Sequence, residues 1–387
     1  MIMSGDMLIV WLRWWKIWYK FPQNFEFSAH KSAFGNSPII GNMKPSIHPA
    51  WSIRKEDFPL NGGLEEKMMF VLQYAILAPS THNSQPWLFR IQDSKCEFYG
   101  DDTLRLPQAD PTGRDFFMSL GACIENFIIA AKYFGIYQSH SIQVQNTRVA
   151  EVHCEQDGTK ELALEPLVNA ILARRTVRGA IPSLQTDPNV WQETADMVKT
   201  EYTRFGMNAI VLTDREKIEK LARIQEQGIL MAYKRKEFRK EFAHWVVSNI
   251  SRRQEAIPGY AITLPLLPSL IFPALVRWFN VGPVLSKINY KSVASAPVVC
   301  VLTSSWDYPD GWVSAGMAME RWMLECVAVG SAVSIYVASI EMGKLYTQVQ
   351  ELLGIQDRPQ FIFLTGYITQ PNRKPTARHS VEERIFH

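Results

Sequence analysis

Two short stretches of this chain carry side chains whose types and spacing could do chemistry. Residues 78–87 read Ala-Pro-Ser-Thr-His-Asn-Ser-Gln-Pro-Trp, placing five short polar side chains and His82 between Pro79 and Pro86. Amide and hydroxyl groups so closely spaced (Ser80, Thr81, Asn83, Gln85) form an edge that can face the heteroatoms of a bound ring, although Pro, Ser and Asn are also ordinary in a helix-to-strand connection. Arg174-Arg175-Thr176-Val177-Arg178 puts three guanidinium groups and a hydroxyl within five residues. Their mutual repulsion would be relieved by an anion, and Arg forks match phosphate geometry. A solvated basic helix end, favoured by the negative pole of the helix dipole, is the plainer alternative.

The elements that must position these groups read as α+β. Helical runs are expected at 64–77, 167–175, 215–227 and 342–353, and strands at 87–91, 96–99, 208–212, 297–303 and 360–367. The first polar stretch then lies between a helix end and a strand start, and the second follows a helix. A weak internal repeat relates 115–135 to 310–330, sharing Asp115/Asp310, Ser119/Ser314, Gly121/Gly316, Glu125/Glu320 and Gly135/Gly330 in ungapped alignment. Both segments have helical apolar spacing and end on a glycine suited to a helix stop. Glu125 and Glu320 are expected to pair structurally with arginines. The chain divides on this basis into an extension at 1–63 and two halves at 64–160 and 161–387. Residues 234–289 have no counterpart in the first half. Their apolar run 262–279 is long enough to suggest a membrane span, but Pro265, Pro268, Pro273 and Arg277 argue for a loop with short helices that covers a pocket.

Composition narrows the function classes. The 387 residues carry 41 Lys/Arg against 38 Asp/Glu, a net charge of +3, so no nucleic-acid footprint is visible. The five cysteines are odd in number, far apart and without a C-x-x-C pair, which suits a reducing, cytoplasmic setting and indicates no zinc or dithiol site. Neither a G-x-G-x-x-G nor a P-loop pattern occurs. Residues 7–21, MLIVWLRWWKIWYKF, set Arg13, Lys16 and Lys20 on one face of a Trp-rich amphipathic segment. It is too short and charged to span a bilayer; it suits either peripheral contact with the inner membrane face or packing against protein.

The motif A-P-S-x-x-N-x-Q-P-W at 78–87 resembles the nitroreductase family's FMN-contacting segment, and R-R-T-V-R at 174–178 resembles the R-R-S-x-R motif that grips the FMN phosphate there. In ordinary members both lie in one domain in the opposite order, and two subunits share each flavin. Their reversed and divided order here resembles the Acg-type branch, as does Asp110-Pro111-Thr112-Gly113-Arg114-Asp115 with its following helix. That resemblance spans roughly 64–385 and implies tandem nitroreductase-like halves forming an intramolecular pseudo-dimer, each a mixed, largely antiparallel sheet flanked by helices. It implies FMN held without a second subunit. Lys374-Pro375-Thr376-Ala377-Arg378 resembles the family's closing basic element after the last strand. Pro79, Ser80, Thr81, Asn83 and Gln85 would lie at the ring or ribityl side, and Arg174, Arg175, Thr176, Arg178, Lys374 and Arg378 at the phosphate. No side-chain nucleophile is needed, so no catalytic residue is assigned; His82 is a weaker candidate for a proton donor. The implied activity is electron transfer from NAD(P)H to a nitro, quinone or similar small acceptor, with flavin storage under a lid as the alternative. Two departures stand out: Thr365 precedes Gly366-Tyr367 where the family often has R-x-G-Y, and Ser334-Ile335-Tyr336-Val337 is less polar than a ring-facing edge would be.

Overall fold

The computed structural model describes residues 49–181, 188–368 and 374–386. The 7–21 segment and the turns expected before residue 49 lie outside those residues.

Helix α1 (Leu64–Ala75) begins where Glu66 Oε2 accepts the Gly63 amide at 2.9 Å, an N-terminal carboxylate placed as the helix dipole favours. It buries Met68, Val71, Leu72 and Ala75 and unwinds at Ile76. Its terminal carbonyls are thus delivered to the start of the 78–87 stretch. Strands β1 (Trp87–Gln92) and β2 (Lys95–Gly100) follow as a hairpin. Helix α2 (Arg114–Phe134) leads to β3 (Tyr137–Gln145) and β4 (Arg148–Cys154). Then come α3 (Glu165–Ala173), α4 (Pro188–Tyr202), β5 (Met207–Leu212) and α5 (Arg215–Lys234). In the region 234–289, where a loop with short helices is expected, α6 (Lys236–Trp245), α7 (Leu266–Trp278) and α8 (Gly282–Ala294) occupy most of the residues. Pro265 is the N-cap of α7 and Pro268 sits in its first turn, where no intrahelical donor is lost; Pro273 alone is interior. Strand β6 (Val298–Ser304), helix α9 (Pro309–Ala328), β7 (Ala332–Ile335), α10 (Ala338–Glu341), α11 (Leu345–Leu353) and β8 (Arg358–Gly366) complete the order.

Two four-stranded antiparallel sheets share one topology. The first runs β1-β2-β4-β3 and the second β5-β6-β8-β7. In each, the strands stand first, second, fourth, third in chain order, and a long helix joins the second to the third. One edge of each sheet, β1 in the first and β7 in the second, is covered from elsewhere in the chain. Ile385 bridges Phe89 in parallel, with Phe89 N donating to Arg384 O at 2.9 Å, and Thr176 bridges Val333, with Val177 N donating to Val333 O at 2.9 Å. Covering an edge satisfies its unpaired backbone groups. It also fixes the two basic elements, 174–178 and 374–378, to opposite sheets.

The repeated helices α2 and α9 pack closely on each other. A β-carbon built at Gly121 would lie 2.0 Å from Val313 O, and one at Gly316 would lie 2.1 Å from Met118 O. Each residue in the first pair is the repeat equivalent of one in the second. The acidic positions follow the same rule. Glu125 faces Arg321 (3.6 Å), while Asn126, oriented to satisfy both its ends, donates to Glu320 Oε1 (3.2 Å) and accepts from Ala78 N (3.3 Å). The expected Glu–Arg pairing therefore holds: Glu125 with Arg321, Glu320 with Arg174 at 3.2 Å. Helix α2 is apolar and long enough to cross a membrane, yet 89% of the qualifying window is buried inside the fold. All five cysteines are free and buried.

Candidate functional site

The three basic or polar stretches, far apart in sequence, meet at the C-terminal end of α1. Leu77 O accepts from Arg174 Nη2 (3.2 Å) and from Arg378 Nη2 (3.3 Å), and Ala78 O accepts from Arg378 Nη2 at 3.0 Å. Cations belong at the negative end of a helix dipole. Arg378 Nη1 also donates to Asn83 Oδ1 (2.6 Å), Thr376 Oγ1 (2.7 Å) and its neighbour's carbonyl, Ala377 O (3.0 Å). Arg175 donates to Leu172 O and Arg174 O and lies over the Trp51 ring, 3.9 Å from its centroid; Arg378 approaches the same ring at 5.2 Å. Trp51 is held in place by Nε1–H donating to Thr376 O at 2.8 Å.

The electrostatics of this cluster are unbalanced. Arg174 and Arg378 are buried, Arg175 half-buried, and among the described residues Glu320 is the only carboxylate paired with any of the three. Burial first, then Arg174 and Arg175, lowers Arg378 to about 9; burial and then Arg174 lower Arg175 to about 10. A guanidinium keeps its proton in a protein. Such shifts therefore describe buried cations short of counter-charge. Burial pushes Glu320 above the usual carboxylate range despite Arg174, which weakens the one anion present. Arg378 Nε is buried with no hydrogen-bond partner. An added anion would satisfy this arrangement, and the donor set of guanidiniums with the Thr176 hydroxyl beside Arg174 (3.4 Å) suits a phosphate.

The remaining predicted residues sit around the same loop. Ser80 Oγ accepts the Gln85 amide at 2.9 Å, and Thr81 faces α2 through Ser119 Oγ and Asp115 Oδ2, both at 3.4 Å. Pro79 is half-buried between them and α1. His82, Asn83 and Gln85 all take positive φ (57°, 58°, 55°), a conformation costly for side chains of this kind. Asn83 Nδ2 donates to Gln254 O (3.1 Å), Ala256 O (3.2 Å) and Ala377 O (3.3 Å). Gln85 Nε2 donates to Gln254 O at 2.9 Å while its Oε1 accepts His379 N at 2.9 Å. Both amides are thus committed within the chain, clamping the 254–256 turn onto the loop. Arg178 stands apart from the other arginines: exposed, it donates to Ile335 O (3.3 Å) and, after burial, is the main influence lowering His82 to about 4. The His82 ring packs edge-on against Phe242 of α6, and its Nε2 is buried without a partner, unlike the hydrogen-bonded or surface histidine expected in a polar turn. Lys374 lies over the Tyr260 ring at 4.5 Å, away from the cluster.

Sequence reasoning missed Trp51, which sits in the extension at 1–63 and gives no local signal. It also missed the 254–256 clamp, whose contributions are backbone carbonyls with no sequence signature.

No family model matches the chain. Two curated proteins of Mycobacterium tuberculosis, from strains CDC 1551 / Oshkosh and ATCC 25618 / H37Rv, are each 24% identical over 332 residues, covering 83% of this chain and 91% of their own length. Both are provisionally named NAD(P)H nitroreductases. The resemblance is to nitroreductases. Solved structures include an FMN- and NADPH-dependent nitroreductase from a Sphigopyxis strain (20% identical, TM-score 0.40, 57% of this chain and 98% of that one). Another is an FMN-dependent nitroreductase of Mycobacterium smegmatis with NADPH (16%, TM-score 0.38, 58% and 97%). The two curated relatives match the chain along most of its length.

Proposed function

We propose that the chain is an FMN-binding, nitroreductase-like oxidoreductase whose flavin lies where residues 78–85, 174–178 and 376–378 converge. The observation that carries this reading is the buried cationic cluster of Arg174, Arg175 and Arg378, which is short of counter-charge at the end of α1. Bound FMN would supply electron acceptance from NAD(P)H and delivery to a nitro, quinone or similar acceptor. The chain's own residues bind and orient. Arg174, Arg175, Arg378 and Thr176 would hold the phosphate, with Arg178 and Lys374 nearer its approach. Glu320 fixes the Arg174 guanidinium and Asn83 fixes that of Arg378, so the cradle is formed before any ligand arrives. Pro79, Ser80 and Thr81 would face the ring or ribityl chain. Asn83 and Gln85 would act there mainly by shaping the loop.

The matching sheet orders and the reciprocal Gly121–Val313 and Gly316–Met118 approaches support a finer reading: tandem halves, about 64–160 and 161–387, that mimic a dimer in one chain as in the Acg-type branch. One FMN per chain is then expected, without a second subunit. A specific observation also favours flavin storage as a second reading. The 234–289 insertion is bonded to the loop through Gln254 and Ala256 and covers His82 with Phe242. Reduction kinetics separate the two: rapid bleaching of the flavin spectrum by NADPH or NADH indicates turnover, and bleaching by dithionite alone indicates storage. The site itself is tested by the visible spectrum of purified protein. Arg178→Ala/Arg378→Ala should abolish the flavin bands; a folded double variant with full flavin content refutes the assignment.

A further inference from the structure

Helix α7 carries an apolar face that the fold leaves uncovered. Leu267, Leu270, Ile271, Ala274 and Trp278 are all exposed, Leu267 at 74% and Trp278 at 69%. At 100° per residue these five fall within about 100° of one another on the helix. The opposite face, Ser269, Phe272 and Val276, is buried against the protein. Scattered exposed hydrophobics are normal, but a continuous helical stripe marks a contact surface. In the neighbouring 249–253 turn Ile250 is 68% exposed, and Asn249 ties that turn to the buried face of α7 through its amide on Ser269 Oγ (3.0 Å) and to the residue before the helix cap through its side chain on Leu264 O (2.9 Å).

The segment that carries this stripe is basic. Residues 234–291 contain ten Lys/Arg and three Asp/Glu, a net charge of +7 against +3 for the whole chain. Two of the three carboxylates are turned inward: Glu241 accepts the Gln108 and Ala109 amides, and Glu255 pairs with His379 and Arg384. Arg252 and Arg277 are exposed. Burial lowers the His244 pKa and the charges of Arg253 and Arg277 lower it further, while Arg253 Nη2 lies 3.3 Å from His244 Nε2, so positive charge gathers near the end of α6.

We propose that α7 with the 249–253 turn is a docking surface for an anionic lipid bilayer, lying in the interface with its apolar stripe inserted and Arg252 and Arg277 at headgroup level. An apolar face flanked by Arg, ending in Trp278-Phe279, has the composition of an interfacial helix. Thirteen residues span roughly 20 Å, short of a hydrocarbon core of about 30 Å, and the buried face is spent on the protein, so the helix lies on the membrane and does not cross it. The proposal is independent of the flavin site.

The test is co-sedimentation of the full chain with vesicles of phosphatidylcholine alone or with about 30% phosphatidylglycerol, in low and high salt. Wild type should pellet with the anionic vesicles, about tenfold less with the neutral ones, and should be released by high salt. Leu267→Gln/Ile271→Gln/Trp278→Gln, all exposed positions, should lose at least tenfold in binding while keeping the wild-type circular dichroism and melting temperature. Wild type that ignores anionic vesicles overturns the proposal. A triple variant that binds them as well as wild type also overturns it, since another segment, such as 7–21, then carries the lipid contact. Concentration-dependent self-association of wild type that the triple variant lacks, without vesicle binding, overturns it in favour of a protein interface.

Discussion

Replacing Gly121 by alanine should destabilise the protein even though alanine is the better helix former. Mid-helix Gly→Ala is worth about 1 kcal/mol in favour of the variant on propensity alone. Against this stands the approach of α9: the new β-carbon would be 2.0 Å from Val313 O and 2.9 Å from Met317 N. Ordinary contact needs about 3.2–3.4 Å, so the helices must part by roughly 1 Å, and the obstructing atoms are backbone that no rotamer change can remove. Overpacking a core costs about 1–3 kcal/mol, and a backbone obstruction belongs at the upper end. The net expectation is a loss of about 2 kcal/mol, or about 2–3 °C in melting temperature for a chain of this size. Since the same separation relieves Gly316 against Met118 O, the Gly121→Ala/Gly316→Ala pair should cost clearly less than the sum of the singles. Differential scanning calorimetry of the two singles and the double checks both statements. A Gly121→Ala variant as stable as wild type, or strictly additive losses, would refute the account of α2 against α9.

Further outcomes are open to measurement. Burial, opposed by Arg321, raises Glu125 to about 7, against about 4.3 for an unfolded glutamate. The folded state therefore holds the proton through that window, and the stability this confers is present below about pH 4 and is lost as pH rises to 7, on the order of 3 kcal/mol. Glu125→Gln, still able to accept from Tyr202 OH (2.5 Å), should flatten the fall in melting temperature between pH 5 and pH 8; an unchanged slope counts against the buried carboxyl as its source. Asn83→Ala removes bonds to Gln254 O, Ala256 O and Ala377 O and the acceptor for Arg378, and puts a β-carbon-only residue at φ 58°. A loss of about 3 kcal/mol is expected, with faster amide exchange concentrated at 254–258. Exchange that stays slow there would show that the clamp is held by something else.

The period and punctuation of the sequence determined where the elements lie. Apolar spacing with Gly135 and Gly330 as stops marked α2 and α9, and the β-branched runs marked β5, β6 and β8, because these signals act over a few neighbouring residues. The 234–289 helices were harder to read, since prolines at a cap and in a first turn look like breakers until their positions in the helix are known. The polar loop and both basic stretches were visible as residue types, as was the pairing of Glu125 and Glu320 with arginines. Their convergence was expected only through the family resemblance, not from the residues themselves. Leu77 and Ala78 contribute only carbonyls, Trp51 lies in an unpatterned stretch, and Gln254 and Ala256 act through backbone. Such groups carry no sequence signature. Strand pairing across hundreds of residues, Ile385 on Phe89 and Thr176 on Val333, brings the arginines to one helix end. Side-chain chemistry is written residue by residue, while the balance of charge in a buried cluster depends on which distant segments the sheet edges bring together; that balance belongs to the tertiary structure alone.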